Sequence, residues 1–191
     1  DQNKERSEVK TFPVPFTSVE VKENTNSNIR ASSQITKKQL ISKAIIYHQQ
    51  GNLLEASKYY QRCIKHGIND YKVFSNYGLI LKEVGKLKEA EILLRKAINL
   101  KDDNADVHFN LGLVYRILGK LEDARNCFIK AIDVEPNLVE AYLNLGLIFE
   151  DIGNKEKAEI IYRKAININP NFPDIYIKLS KILIDNDRLE E

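Results

Sequence analysis

Spacing governs this chain more than composition does: chemically equivalent residues return every 34 positions. That shift superimposes Gly78, Gly112 and Gly146, then Gly51, Gly85, Gly119 and Gly153, then Ala56, Ala90, Ala124 and Ala158. A fixed period of this length is the signature of a repeat array, in which each unit buries its apolar face against its neighbours. Within the clearest unit, Ala105 to Leu138, apolar residues fall at helical spacing twice. They run first through Val107, Leu111, Val114 and Tyr115, then through Leu121, Ala124, Phe128, Ala131 and Ile132. Each unit therefore reads as a helical hairpin.

The glycines have two different jobs. Gly119 falls where the first helix must stop and reverse, because glycine takes a left-handed backbone without steric cost. Gly112 lies in mid-helix, where it costs about 1 kcal/mol against alanine, so its return needs a packing reason. The expected reason is close approach of the second helix at Ala124. Pro136 follows the second helix, and Asn137 with Glu140 offers a capping box for the next one.

His108, Leu111, Gly112, Tyr115, Gly119, Ala124, Phe128, Ala131 and Pro136 together resemble the tetratricopeptide repeat. The next unit matches through Tyr142, Leu145, Gly146, Phe149, Gly153, Ala158, Tyr162, Ala165 and Pro170. The resemblance implies an all-α, right-handed superhelical solenoid of antiparallel helix pairs, with about four and a half repeats. The units fall at 37–70, 71–104, 105–138 and 139–172, with a partial one at 173–191. The first is degenerate but in register through Leu40, Ala44, Tyr47, Gly51, Ala56, Tyr60 and Cys63. Its first helix should begin behind a capping box of Thr36 and Gln39.

Residues 1–35 stand outside the period and are expected to be a disordered leader, being polar and charged apart from the island Phe12-Pro13-Val14-Pro15-Phe16. That island could serve as an extended docking peptide. At the other end, the helix from Ile175 to Ile184 is apolar on more than one face, whereas a terminal helix of a solenoid ordinarily has a polar outer face. It is expected either to continue into further chain or to support self-association.

Composition excludes several function classes. The 191 residues carry 29 basic and 27 acidic side chains for a net charge of +2, which gives no broad electrostatic case for nucleic acid or an anionic membrane. Only two cysteines occur, which fits a reducing, cytoplasmic setting. No metal-binding, nucleophile or phosphate-loop motif appears, so no cofactor, metal or catalytic residue is expected. His48, His66 and His108 occupy different repeat positions, and His108 fills a packing-aromatic slot.

A binding surface remains. In tetratricopeptide solenoids the first helix of each pair lines the concave groove through positions two, five, six, nine and twelve. At position six stand Asn76, Asn110 and Asn144, an amide ladder similar to that of the O-linked N-acetylglucosamine transferase superhelix and suited to two-point bonding of a peptide backbone. Positions five and nine supply Leu79, Phe109, Leu113, Leu143 and Leu147, with Ile41, Ile45 and Ile177, an apolar strip. Basic groove residues Lys38, His48, Lys72, Lys82 and Arg116 precede an acidic set, Asp106, Glu140, Glu150, Asp151, Asp174 and Asp185. Such polarity would orient an extended peptide with its acidic part over the first repeats. Members that bind chaperone tails use a two-carboxylate clamp, and Ile41 and Ile45 stand where its first lysine and asparagine would be. The expected function is therefore a protein–protein interaction module that takes an extended peptide other than such a tail. The alternative is a substrate-recruiting arm of a larger enzyme, glycosyltransferase- or sulfotransferase-like, with its catalytic domain outside this chain.

Overall fold

The structure, a computed structural model, describes residues 36–185. Nine helices occur among the described residues: α1 (Lys37–Gln49), α2 (Leu53–Lys65), α3 (Tyr71–Glu83), α4 (Leu87–Leu100), α5 (Ala105–Ile117), α6 (Leu121–Val134), α7 (Val139–Asp151), α8 (Lys155–Ile168) and α9 (Pro173–Asp185). The first eight pair as hairpins in the register set by the 34-residue period, and α9 opens a fifth unit. The leader, its Phe12–Phe16 island and the start of a second helix at Leu189 lie outside the described residues.

Each helix packs on the next along the chain, and the first helices α3, α5 and α7 also touch one another in a row. That is solenoid packing: neighbours supply the core, and one face of the array is built from first helices alone.

The four turn glycines meet the expectation. Gly51, Gly85, Gly119 and Gly153 have φ of 71°, 78°, 73° and 77°, a region open to glycine and strained for other residues. A fifth, Gly67 at φ 67°, ends α2 in the same way. The second helices α4, α6 and α8 instead run into C-caps at Lys101, Glu135 and Asn169 with φ between −153° and −131°.

The mid-helix glycines have a different partner from the expected alanine. A β-carbon on Gly112 would lie 2.7 Å from Phe128 Cε1, and one on Gly78 would lie 2.9 Å from Leu94 Cγ. On Gly146 it would stand 2.2 Å from Tyr162 Cε1. The gap left by glycine is filled by the large residue four positions past the alanine, so small meets large. Ala90, Ala124 and Ala158 are themselves fully buried. Their small size lets the helices come close enough for the ring or leucine to reach the glycine.

Helix starts follow the sequence at one end and depart from it at another. Thr36 forms the full capping box: Gln39 N–H donates to Thr36 Oγ1 at 3.2 Å, and Thr36 N–H donates to Gln39 Oε1 at 2.8 Å. Asn52, Asp70, Asn104 and Asn154 cap α2, α3, α5 and α8. The expected box of Asn137 with Glu140 does not form, because α7 starts one residue later with Leu138 at its N-cap and no side-chain bond. Leu138 is 8% exposed. Burying a leucine contributes about 2 kcal/mol, against about 1 kcal/mol for a side-chain cap, so burial decides the start.

Candidate functional site

The face built from first helices is where a partner could lie, and burial separates the residues expected on it. Asn76, Asn110 and Asn144 are 2%, 0% and 1% exposed, so the three amides expected to form a ladder on the groove are buried in the packing. Asn144 Nδ2 donates to the Glu140 carbonyl at 2.8 Å, one turn back in its own helix, while its Oδ1 is buried without a partner. Leu79, Phe109 and Leu113 are likewise buried, and the Phe109 ring lies 5.8 Å from that of Phe128.

Leu143 and Leu147 on α7 remain half-buried, and Ile177 on α9 is 64% exposed. Ile41 and Ile45 on α1 are half-buried as well, so the apolar strip reaches the surface at both ends. In the middle of the array it is occupied by helix-to-helix packing.

The basic residues occupy two rims of this face. Lys72, at position two, is half-buried near the start of α3, its ammonium 5.9 Å from the Tyr71 ring centre. Lys82 and Arg116, both at position twelve, are half-buried in the last turns of α3 and α5. Burial lowers the pKa of each, opposed in Lys82 by neighbouring Glu83 and in Arg116 by Asp151 and Tyr162. Neither forms a salt bridge among the described residues. His48 precedes them at position twelve; burial lowers its pKa, and its Nδ1 lies 3.5 Å from the Tyr60 hydroxyl. Glu150, the next member of that row, accepts a hydrogen bond from the Tyr162 hydroxyl at 2.5 Å. At the other rim burial, with a contribution from Glu135, raises the pKa of Asp106.

A second concavity, about 480 Å³, opens between the second helices α4 and α6 over α5. Its charges oppose one another: Arg95 and Lys130 face Asp102 and Asp123, and Lys130 pairs with Asp102 at 3.6 Å. His108 Nε2 lies 2.7 Å from the Asp102 carbonyl oxygen and 3.1 Å from its carboxylate. The histidine thus ties a loop to a packing slot. Cys127 borders the same cleft, and burial pushes its thiol up to about 12, as it pushes buried Cys63 up to about 11, so neither is a ready nucleophile.

Sequence reasoning missed the aromatic stack that joins the first two repeats, Tyr60 on Tyr77 with centres 6.1 Å apart. The signal was present, since Tyr60 and Tyr77 fall at packing positions of adjacent units. It also missed how far burial would divide the apolar strip.

Among the described residues no helix is long and apolar enough to cross a membrane, and no cluster of side chains has the makings of a metal site. In comparisons with known proteins, no curated protein matches the chain. Among solved structures it is similar to MamA, at 22% identity with a TM-score of 0.72, over 77% of this chain and 86% of that one. It is similar too to YrrB, described as a TPR protein with an unusual peptide-binding site, at 21% identity, TM-score 0.71, 78% of this chain and 76% of that one. PilF of Pseudomonas aeruginosa matches at 20% identity and TM-score 0.71, over 79% of this chain and 69% of that one. These likenesses speak to the fold. The family model described as TPR repeat matches residues 78–116 and 112–153, and that described as tetratricopeptide repeat matches 40–65 and 139–172. With those spans together covering most of the described helices, and the two TPR repeat matches beginning 34 residues apart, the chain belongs to the tetratricopeptide repeat family.

Proposed function

We propose that this chain is a protein-binding module that receives an extended segment of a partner across its row of first helices. The observation that carries the reading is the apolar surface that this row leaves open: Leu143 and Leu147 half-buried on α7, continued by Ile177 on α9, at the inward positions five and nine. Apolar side chains on a rigid helical face supply anchor points, and a preformed face leaves most of the ordering cost to the peptide. Lys72, Lys82 and Arg116 flank that path. YrrB, of similar fold, is described as having a peptide-binding site, which is in keeping with the reading. The buried asparagines and the buried Leu79, Phe109 and Leu113 act indirectly in it, by fixing the spacing of the first helices.

The test is a peptide selected on this chain from a random display library, measured against two variants. Leu147→Asp is expected to weaken binding at least tenfold. Ile92→Asp, at a residue 55% exposed on the second helix α4, is expected to leave it unchanged. The opposite pattern would move the site to the second-helix face and end the groove reading.

A further inference from the structure

Lys82 and Arg116 stand at the same repeat position on adjacent first helices that touch each other, in the last turns of α3 and α5. Both are half-buried, and neither makes a salt bridge among the described residues. The surface cations of the second helices are used differently: Lys58, Arg125 and Arg163 each pair with a glutamate three or four residues away. The flanking members of the row are His48 and Glu150. His48 is a neutral neighbour above about pH 6.5, and Glu150 is engaged by Tyr162. The carboxylates that do act on the pair are Glu83 beside Lys82 and Asp151 near Arg116, the latter exposed to solvent. The acidic residues Asp106 and Glu140 lie at position two, ten residues back along their helices and so about 15 Å away along the axis.

We propose that Lys82 and Arg116 form a two-point receptor for a pair of carboxylates on an extended partner peptide, which selects acidic segments for the groove. The inference rests on the groove reading above and adds the class of peptide. Packed helices lie about 9 Å apart. An extended polyproline-II segment repeats its face every three residues with a rise of about 3.1 Å each, so side chains three apart are also about 9 Å apart on one face. The spacing thus favours acidic residues at i and i+3. Leu143 and Leu147 then lie on the next first helix, α7, so apolar residues of the peptide lie beyond the acidic pair on its Arg116 side. A carboxylate that reaches a half-buried guanidinium or ammonium forms a charge-assisted hydrogen bond where water screens it little. The two cations also lie in the last turns of their helices, where the negative helix end favours a cation without forming a salt bridge to it. This receptor differs from the chaperone-tail clamp, whose first lysine and asparagine positions hold Ile41 and Ile45 in this chain.

The test uses the full chain and a fluorescent decapeptide carrying two glutamates three residues apart followed by two leucines. Comparison peptides have both glutamates replaced by glutamine, or the pair moved to adjacent positions. The glutamate peptide is expected to bind about tenfold more tightly than the glutamine peptide, with the preference lost in Lys82→Gln and Arg116→Gln and weakened by salt. These half-buried surface changes should leave the melting temperature near that of the parent, which thermal unfolding checks. Equal binding of the glutamate and glutamine peptides, with both abolished by Leu147→Asp, would overturn the receptor and leave the groove standing. Binding that ignores Lys82, Arg116 and Leu147 alike would overturn both readings, as would failure of every peptide to bind. Tighter binding of an RNA oligomer than of the glutamate peptide would assign the cations to phosphate and overturn the proposal.

Discussion

Glycine and histidine show how much one side chain decides here. At Gly146 an added methyl would sit 2.2 Å from the ring of Tyr162, which is fully buried and hydrogen-bonded to Glu150, so the ring has little room to yield. Overpacking costs up to about 3 kcal/mol and the helix gains about 1 kcal/mol from alanine, so Gly146→Ala should destabilise by about 2 kcal/mol. At Gly78 the methyl meets Leu94 Cγ at 2.9 Å, and a leucine repacks more readily than a ring, so Gly78→Ala should cost least of the three, with Gly112→Ala between them. Chemical denaturation of the three variants checks that order. His48 sets a pH dependence. Its pKa is lowered by burial from 6.5, so as pH falls the unfolded chain takes up the proton before the folded chain does. Stability from this group is therefore present above about pH 6.5 and lost below it. The parent should lose stability relative to His48→Gln as pH falls from about 7.5 to about 5.5, a difference read by denaturant titration at each pH.

At the scale of the helix, capping and burial compete. The box at Thr36 has nothing to compete with, because Thr36 and Gln39 are exposed, and so it forms as written. Thr36→Ala should cost about 1 kcal/mol, measured by thermal unfolding. The box at Asn137 loses to Leu138, whose burial pulls the start of α7 one residue along. The outer face of α1 is also settled at this scale. It carries Gln39 and Lys43 at the positions where later first helices present Val73 and Tyr77, Val107 and Leu111, or Ala141 and Leu145 to the preceding repeat. Both α1 residues are exposed and polar, so that face is suited to water.

Across the whole array, stability should fall toward the C-terminal end of the described helices. First helices α5 and α7 are packed on both sides, whereas α9 packs chiefly against α8 and leaves Tyr176, Ile177 and Ile184 exposed at 43%, 64% and 56%. In a one-dimensional array each helix is held by its neighbours alone, so the amides of α9 should exchange with solvent faster than those of α5. Hydrogen exchange on this chain measures it, and equal protection would mean that another surface covers α9.

How much of this was legible before the structure differs by feature. The 34-residue period, the turn glycines with positive φ and the register of the helix pairs could be read directly, because each depends on local geometry that repeats. The binding face was legible only as a set of positions. Asn110 and Leu147 carry comparable claims in the sequence, since both fall on inward positions of a first helix. Three-dimensional packing buries Asn110 completely and leaves Leu147 half-buried. The sequence by itself thus determined which backbone this chain adopts, through spacing that sterics and helical periodicity must obey. Only the tertiary structure decided which inward residues meet solvent, which large side chain fills the space above each mid-helix glycine and which cations form no salt bridge, because those depend on distances between helices that no single period encodes.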